Sequence, residues 1–99
     1  MSHRYLEVTY RDGKPLAAYL SLPRRPGDTS VRVEPHGDGF LVDWTEDGRP
    51  IGIEMPSPSL ITAEGLNRVL SELHLAPVPP EEVAPAVAAV PIEPSAARL

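Results

Sequence analysis

Three consecutive segments decide the fold of this chain: Phe40-Leu-Val-Asp-Trp44, Thr45-Glu-Asp-Gly-Arg49 and Pro50-Ile-Gly-Ile-Glu-Met55. The first and the third alternate apolar and polar side chains, which is the period of a half-buried β-strand. The second contains Asp47-Gly48, and an Asp-Gly pair between two such strands is a strong short-range signal for a β-hairpin. The sequence therefore predicts an antiparallel hairpin in the middle of the chain.

A third alternating strand, Ser30–His36, precedes this hairpin. If Gly37-Asp38 and Asp47-Gly48 are both two-residue turns, three rows of apolar side chains cross the strands on one face. The rows are Val31–Trp44–Ile51, Val33–Val42–Ile53 and Pro35–Phe40–Met55. A slip of one residue would move a strand's apolar set to the opposite face. We therefore expect these nine residues to form the core side of the sheet.

Two further strands are predicted before this unit. Apolar residues recur at every second position in both, at Leu6, Val8 and Tyr10 and then at Leu16, Ala18, Leu20 and Leu22. Arg11–Lys14 is a turn between them. A three-residue loop there pairs Val8 with Ala18 and matches the apolar faces, which a two-residue turn does not. Pro23–Asp28 is a loop, because its prolines cannot donate to a ladder.

The period changes to that of an α-helix after Pro56. One apolar stripe at helical spacing comprises Leu66, Val69, Leu70 and Leu73. Thr62 is the expected N-cap, and Pro77 is expected to lie just beyond the helix end. Residues 77–99 contain six prolines, six alanines and no aromatic residue, a composition typical of a tail.

These elements together predict an α+β fold. It has an antiparallel sheet of about five strands, mostly a meander, with one helix packed on its apolar face. Residues 1–76 are expected to form the domain. Residues 77–99 are expected to form a Pro/Ala-rich tail that is mobile or docked on a partner subunit.

Composition excludes several classes of protein. Nine lysines and arginines stand against fourteen aspartates and glutamates, which gives a formal net charge of -5 and no basic face for nucleic acid. The only adjacent cations are Arg24-Arg25, which are expected to be solvated loop residues. No apolar run is long enough for a membrane span or a signal peptide, and there is no cysteine. We expect a cytoplasmic protein that binds neither nucleic acid nor membrane.

The central hairpin also carries a resemblance to a known family. Its residues resemble the signature of a small prokaryotic family catalogued as domain of unknown function 2283, in the pattern Val42-Asp43-x-x-x-Asp47-Gly48-Arg49-x-Ile51-Gly52-Ile53-Glu54. Tyr10 and Ala18–Leu22 are similar to the opening hairpin of that family, so the resemblance covers Leu6–Met55. Family members often carry an acid where this chain has Ala17. The resemblance implies a small sheet with a helix and implies no reaction.

Three polar residues beside the Gly37-Asp38 turn are the weak candidates for ligand or metal binding: Glu34, His36 and Asp38. A metal site needs three or four converging ligands, and nothing in the sequence brings a fourth ligand to this trio. We therefore predict no metal and no cofactor. A small-ligand or metal-binding domain that uses this trio is the alternative function.

An enzymatic function is the third possibility. Asp43 is expected to lie opposite Arg32 in an ordinary cross-strand ion pair. Glu34 and Glu54 flank Leu41 on the same expected face, at a spacing near that of an inverting carboxylate pair, but a flat sheet face is not a cleft. The sequence has no nucleophile elbow and no phosphate-binding glycine loop. We predict no catalytic residue.

The expected polar face still carries apolar groups. Tyr5, Tyr19 and Leu41 should lie on the side of the sheet away from the helix, and an open sheet leaves two edge strands that proteins normally cover. We therefore expect a non-catalytic interaction or regulatory module. It should form a homodimer through these three residues and bind a protein partner.

Overall fold

The structure is a computed structural model that describes residues 4–79, 81 and 82. These residues form five β-strands, a short 3-10 helix over Pro58–Leu60 and one α-helix. The strands are β1 (Tyr5–Arg11), β2 (Lys14–Ser21), β3 (Arg32–His36), β4 (Phe40–Trp44) and β5 (Pro50–Met55), and the α-helix is α1 (Ala63–Glu72).

All five strands form one antiparallel sheet in the order β1-β2-β5-β4-β3. The predicted α+β class is confirmed. The order departs from a simple meander because β2 pairs with β5, which joins the β1–β2 hairpin to the far side of the three-strand unit. The edge strands of the sheet are β1 and β3.

The register of the first hairpin agrees with the sequence. Val8 pairs with Ala18 and Leu6 pairs with Leu20, as predicted. The predicted three-residue loop is wrong, because Arg11 pairs with Lys14 across a two-residue turn, and a bulge between Thr9 and Tyr10 produces the Val8–Ala18 pairing instead. Asp12 and Gly13 form the turn with positive φ angles of 53° and 78°. The apolar side chains of β1 and β2 therefore share one face.

The β4–β5 hairpin also pairs as predicted over most of its length. Val42 lies opposite Ile53, and Asp43 lies opposite Gly52. A bulge after Asp43 then pairs Trp44 with Pro50 instead of Ile51. A bulge adds one residue to one strand, and Ile51, which was predicted to line the core, is buried but lies outside the main core cluster.

The predicted register of β3 is wrong by one residue. Val33 pairs with Asp43 instead of Val42, and Glu34 takes the position opposite Val42. The cause is the turn, which has three residues, with Gly37 and Gly39 at φ angles of 57° and 90°. Glycine enters this left-handed region without steric cost, so the pair of glycines permits the longer loop.

The slip inverts the faces of β3. Val31 and Val33 point away from the helix and are 57% and 49% exposed, and Pro35 is exposed on the same side. Arg32, Glu34 and His36 take the helix side. Three of the nine residues predicted to line the core therefore lie on the opposite face.

The helix forms as its sequence predicts. The Thr62 hydroxyl caps it by accepting a hydrogen bond from the Gly65 amide at 2.9 Å. It ends at Glu72, and His74 follows in a left-handed conformation that the Leu75 amide closes by donating to the Leu70 carbonyl at 2.8 Å. The core combines both layers and consists of Ala18, Leu20, Leu22, Phe40, Val42, Ile53, Met55, Ile61, Leu66, Val69, Leu70 and Val78.

The chain after the helix packs back onto the domain. Val78 is buried, and its backbone exchanges two hydrogen bonds with the Asn67 side chain at 2.8 and 3.1 Å. Arg4 donates to the carbonyls of Ala76 and Pro77, each at 2.6 Å. Pro77 and Val78 therefore contact the domain through these hydrogen bonds. Most of the predicted tail, residues 83–99, lies outside the described residues.

Candidate functional site

The two faces of the sheet differ in their cover. The side chains of α1 pack on the face that carries Leu20, Val42 and Ile53. We call the opposite face, which carries Tyr19 and Asp43, the open face. Within residues 4–79, 81 and 82, no second helix packs there. We therefore looked for a binding surface on the open face and at the edges that the described residues leave uncovered.

A hydrogen-bonded polar network occupies the middle of the open face. Tyr19 Oη donates to Asp43 Oδ2 at 3.0 Å, and Arg24 Nη2 donates to Tyr19 Oη at 2.8 Å and to the Ile51 carbonyl at 3.1 Å. Asp43 is only 6% exposed. The predicted Arg32–Asp43 pair is therefore wrong, because Tyr19 and Arg24 surround Asp43 and Arg32 lies on the other face.

Gly52 makes room for this network. A Cβ at this position would overlap the Tyr19 phenol, so the ring lies directly over the Gly52 backbone. Gly52 is the residue opposite Asp43, which explains how the tyrosine reaches the carboxylate across β5.

The electrostatics of the network favour hydrogen bonding over proton transfer. Burial, together with the hydrogen bond to Asp43, raises the pKa of Tyr19 to about 12. The phenol therefore stays protonated at neutral pH and acts as a donor. A hydrogen bond to Asp43, with added desolvation, raises the pKa of Glu54. The arrangement holds the carboxyl groups of Asp43 and Glu54 beside each other.

A shallow groove lies next to this network. Its volume is about 310 Å³, and it is lined by Glu7, Thr9, Ala17, Ala18, Tyr19, Glu54, Met55 and Pro56. The register places Tyr19 between Glu7 and Glu54 in one row across three strands. The groove therefore presents carboxyl groups on both sides of an aromatic ring.

The remaining part of the open face is apolar and lies at the β3 edge. We call Val31, Val33, Pro35 and Leu41 the apolar strip. Val33 and Pro35 belong to β3, and Leu41 lies opposite Pro35 on β4. A hollow of about 300 Å³ extends the strip from Pro35 and Leu41 to Leu60, which is 76% exposed. Contiguous exposed apolar surface of this kind is typical of an interaction site.

The polar side of β3 faces the helix end and Trp44. Arg32 Nε lies 2.7 Å from Glu34 Oε2, and its guanidinium lies 5.3 Å from the centre of the Trp44 ring. His36 Nδ1 lies 3.6 Å from Glu72 Oε1. Trp44 is on the helix side, as predicted, but it is half-buried at the margin of the core. Among the described residues its buried Nε1 has no hydrogen-bond partner.

The candidate ligand trio does not converge. Glu34 pairs with Arg32, His36 approaches Glu72, and Asp38 is exposed in the turn. In the part of the chain that the structure describes, no group of three His, Cys, Asp or Glu side chains is placed to hold a metal ion. Glu34 and Glu54 lie on opposite faces, so the expectation that they flank Leu41 on one face is wrong.

The three predicted interface residues share the open face but not one patch. Tyr5 is at the far edge on β1, Tyr19 belongs to the polar network, and Leu41 is in the apolar strip. Sequence reasoning missed Val31, Val33 and Pro35, which it assigned to the core. The available signal was Gly39, the second glycine of the β3–β4 turn.

A separate ion pair fixes the loop before β3. Arg49 donates to both oxygens of Asp28, at 2.6 and 2.9 Å, and its Nε lies 3.0 Å from Asp47. The bidentate contact with Arg49 lowers the pKa of Asp28 to about 2. This contact joins the loop to the β4–β5 turn and has a structural role.

Comparisons of the chain with family models, with curated proteins and with solved structures find no match. The resemblance to domain of unknown function 2283 therefore stays a prediction. Across the described residues, no helix has the length and apolar character needed to cross a membrane.

Proposed function

We propose that this protein is a non-catalytic interaction module that self-associates, with the β3 side of its sheet as the interface. The observation that supports this proposal is the outward position of the apolar strip on an edge strand. The proposed partner is a second copy of the chain.

Apolar surface left in water costs free energy. Val31 and Val33 are about half exposed on one strand, and Leu41 extends the same surface on the next strand. Soluble domains normally blunt an edge strand with lysine, proline or a covering segment. In β3 the charged Arg32 and Glu34 lie on the helix side, and among the described residues Val33 on the opposite side stays about half exposed. Burying it against a second copy removes that area from water.

The polar network favours a binding role over a catalytic one. Tyr19 is held protonated, and its oxygen is already engaged by Asp43 and Arg24. A general base needs a free lone pair and a pKa near the working pH, and this phenol has neither. The network stabilises the open face, which supports its use as a rigid platform.

Sedimentation velocity tests the proposal. The wild-type chain should sediment as a dimer at micromolar concentration, and Val33→Asp should be monomeric because it places a charge in the strip. Leu16→Asp is the matched control, since Leu16 is also 49% exposed but lies on β2, with β5 and β4 between it and β3. This control should remain a dimer. A wild-type monomer at all concentrations would overturn the proposal.

A further inference from the structure

We infer that the second copy binds by pairing its β3 strand antiparallel to β3 of the first copy, about a two-fold axis at Val33. The two sheets then form one continuous sheet. This inference rests on the proposed function and adds the geometry, the register and the residues that specify the partner.

The edge of β3 is available for pairing. One side of the strand pairs with β4, and among residues 4–79, 81 and 82 no strand lies on its other side. The outer side of an edge strand presents backbone amides and carbonyls that have no ladder partner, and a second strand satisfies them. A two-fold axis makes the contact self-complementary, because each copy supplies the same strand.

Symmetry limits the possible registers. A two-fold axis perpendicular to the sheet keeps both open faces on the same side. The axis then lies between the two β3 strands, level with one residue, and that residue faces its own copy. With the axis at Arg32, two arginines face each other; with the axis at Glu34, two glutamates do. Like charges directly opposite each other destabilise a strand pair. An axis at Pro35 would place two residues without an amide N–H at the centre of the ladder.

The register centred on Val33 is the complementary one. It places Arg32 opposite Glu34 of the partner subunit, and the same contact occurs again by symmetry. The intrachain Arg32–Glu34 pair is about half exposed at both ends, so it is weak and can exchange for the contact between subunits. Each chain carries a net charge of -5, so two opposite-charge contacts at the centre also offset the general repulsion.

The apolar strip becomes continuous in the same register. Val33 lies opposite Val33 of the partner subunit, and Val31 lies opposite Pro35 of the partner subunit. Branched side chains in directly opposed positions pack well across strands. At each end of the paired segment Pro35 has no N–H and the Val31 amide already donates to the Trp44 carbonyl at 2.9 Å, so the backbone hydrogen bonds of the pairing are those between the two Val33 residues.

Single-cysteine variants test this register directly, because the chain has no cysteine of its own. In the inferred dimer, Val33→Cys faces its own copy at a Cα separation of roughly 5.5 Å, which a disulfide spans. Val31→Cys is the matched control. It is more exposed, but its two copies lie roughly 13 Å apart in this register. With diamide as oxidant, Val33→Cys should cross-link rapidly and Val31→Cys should not.

A charge exchange tests the same contact without cysteine. Arg32→Glu and Glu34→Arg should each weaken dimerisation by about ten-fold or more, because each places like charges opposite each other. An equimolar mixture of the two variants should form a heterodimer, since the opposite charges then meet at both contacts. The double variant should dimerise like the wild type. Circular dichroism confirms that each variant is folded.

The outcomes separate the two proposals. Equal cross-linking of both cysteine variants, or dimerisation that is unaffected by either charge reversal, would overturn the edge pairing while a wild-type dimer still supports self-association. A wild-type chain that is monomeric would overturn both. Loss of the dimer with recovery in the mixture supports the inferred register.

Discussion

The two edge strands of this sheet use the same alternation of apolar and polar residues in opposite ways. In β1, Leu6 and Val8 point to the helix side and pack against the core. At the other edge, Val33 in β3 and Val31 just before it point away from the helix and are about half exposed. One edge therefore contributes to the core of its own domain, and the other presents apolar side chains for an external contact.

Single-residue changes in the two outer hairpins cause the difference. After β1 the turn has two residues, and a bulge between Thr9 and Tyr10 keeps Val8 level with Ala18. The loop after β3 is one residue longer than a two-residue turn, which brings the polar Glu34 level with Val42. A change of one residue in loop length inverts a whole strand, because successive side chains point to opposite faces. An edge strand can therefore acquire a binding surface without a new sequence pattern.

The largest expected effect on stability comes from disrupting the polar network in the middle of the open face. Gly52→Ala should cost about 2–3 kcal/mol of unfolding free energy, because the new Cβ overlaps the Tyr19 phenol. The cost should nearly vanish in a Tyr19→Ala background, where the ring is gone. Chemical denaturation of the two single variants and the double variant measures this coupling. Additive effects would show that Gly52 is not needed for the ring.

The next largest effect is the difference in unfolding free energy when the same substitution is made in each edge strand. Val8→Ala should cost about 1 kcal/mol, because it removes methyl groups that pack on the core. Val33→Ala should change the stability of the monomer by less than about 0.5 kcal/mol. Urea denaturation below the dimer dissociation constant measures both. Equal costs would contradict the assignment of the two faces of β3.

A smaller effect concerns the loop that leads into β3. The pKa of Asp28 is lowered to about 2 in the folded chain, so its pairing with Arg49 stabilises the fold above the ordinary aspartate pKa. That stability is lost as pH falls towards 2. The Tm of the wild type should therefore fall more between pH 4 and pH 2 than the Tm of Asp28→Asn. Parallel pH profiles would indicate that the ion pair is not formed.

The smallest effect is a gain in stability. The pKa of Glu54 is raised in the folded chain by its contact with Asp43, so the charged form is disfavoured and its cost is present above that pKa. Glu54→Gln should raise the Tm at pH 7, and the gain should disappear below the Glu54 pKa, where the wild type is also neutral. A gain that is independent of pH would contradict this cause.

The sequence predicted the parts of the fold that depend on local signals. The β1–β2 and β4–β5 hairpins and the cap at Thr62 follow from turn residues and periodicity within short segments. The β3 register does not, because Gly37-Asp38-Gly39 is compatible with loops of two or three residues and only tertiary packing selects one. The Tyr19–Asp43–Arg24 network joins residues from three separate segments, so no local pattern contains it.

Hydrogen exchange on the wild-type chain, measured as a function of protein concentration, tests the central claim most directly. If β3 is the self-association edge, protection of its backbone amides should rise with concentration across the dimerisation range, while protection of the β1 amides stays constant. Concentration-independent exchange at both edges, or a rise confined to β1, would contradict the account.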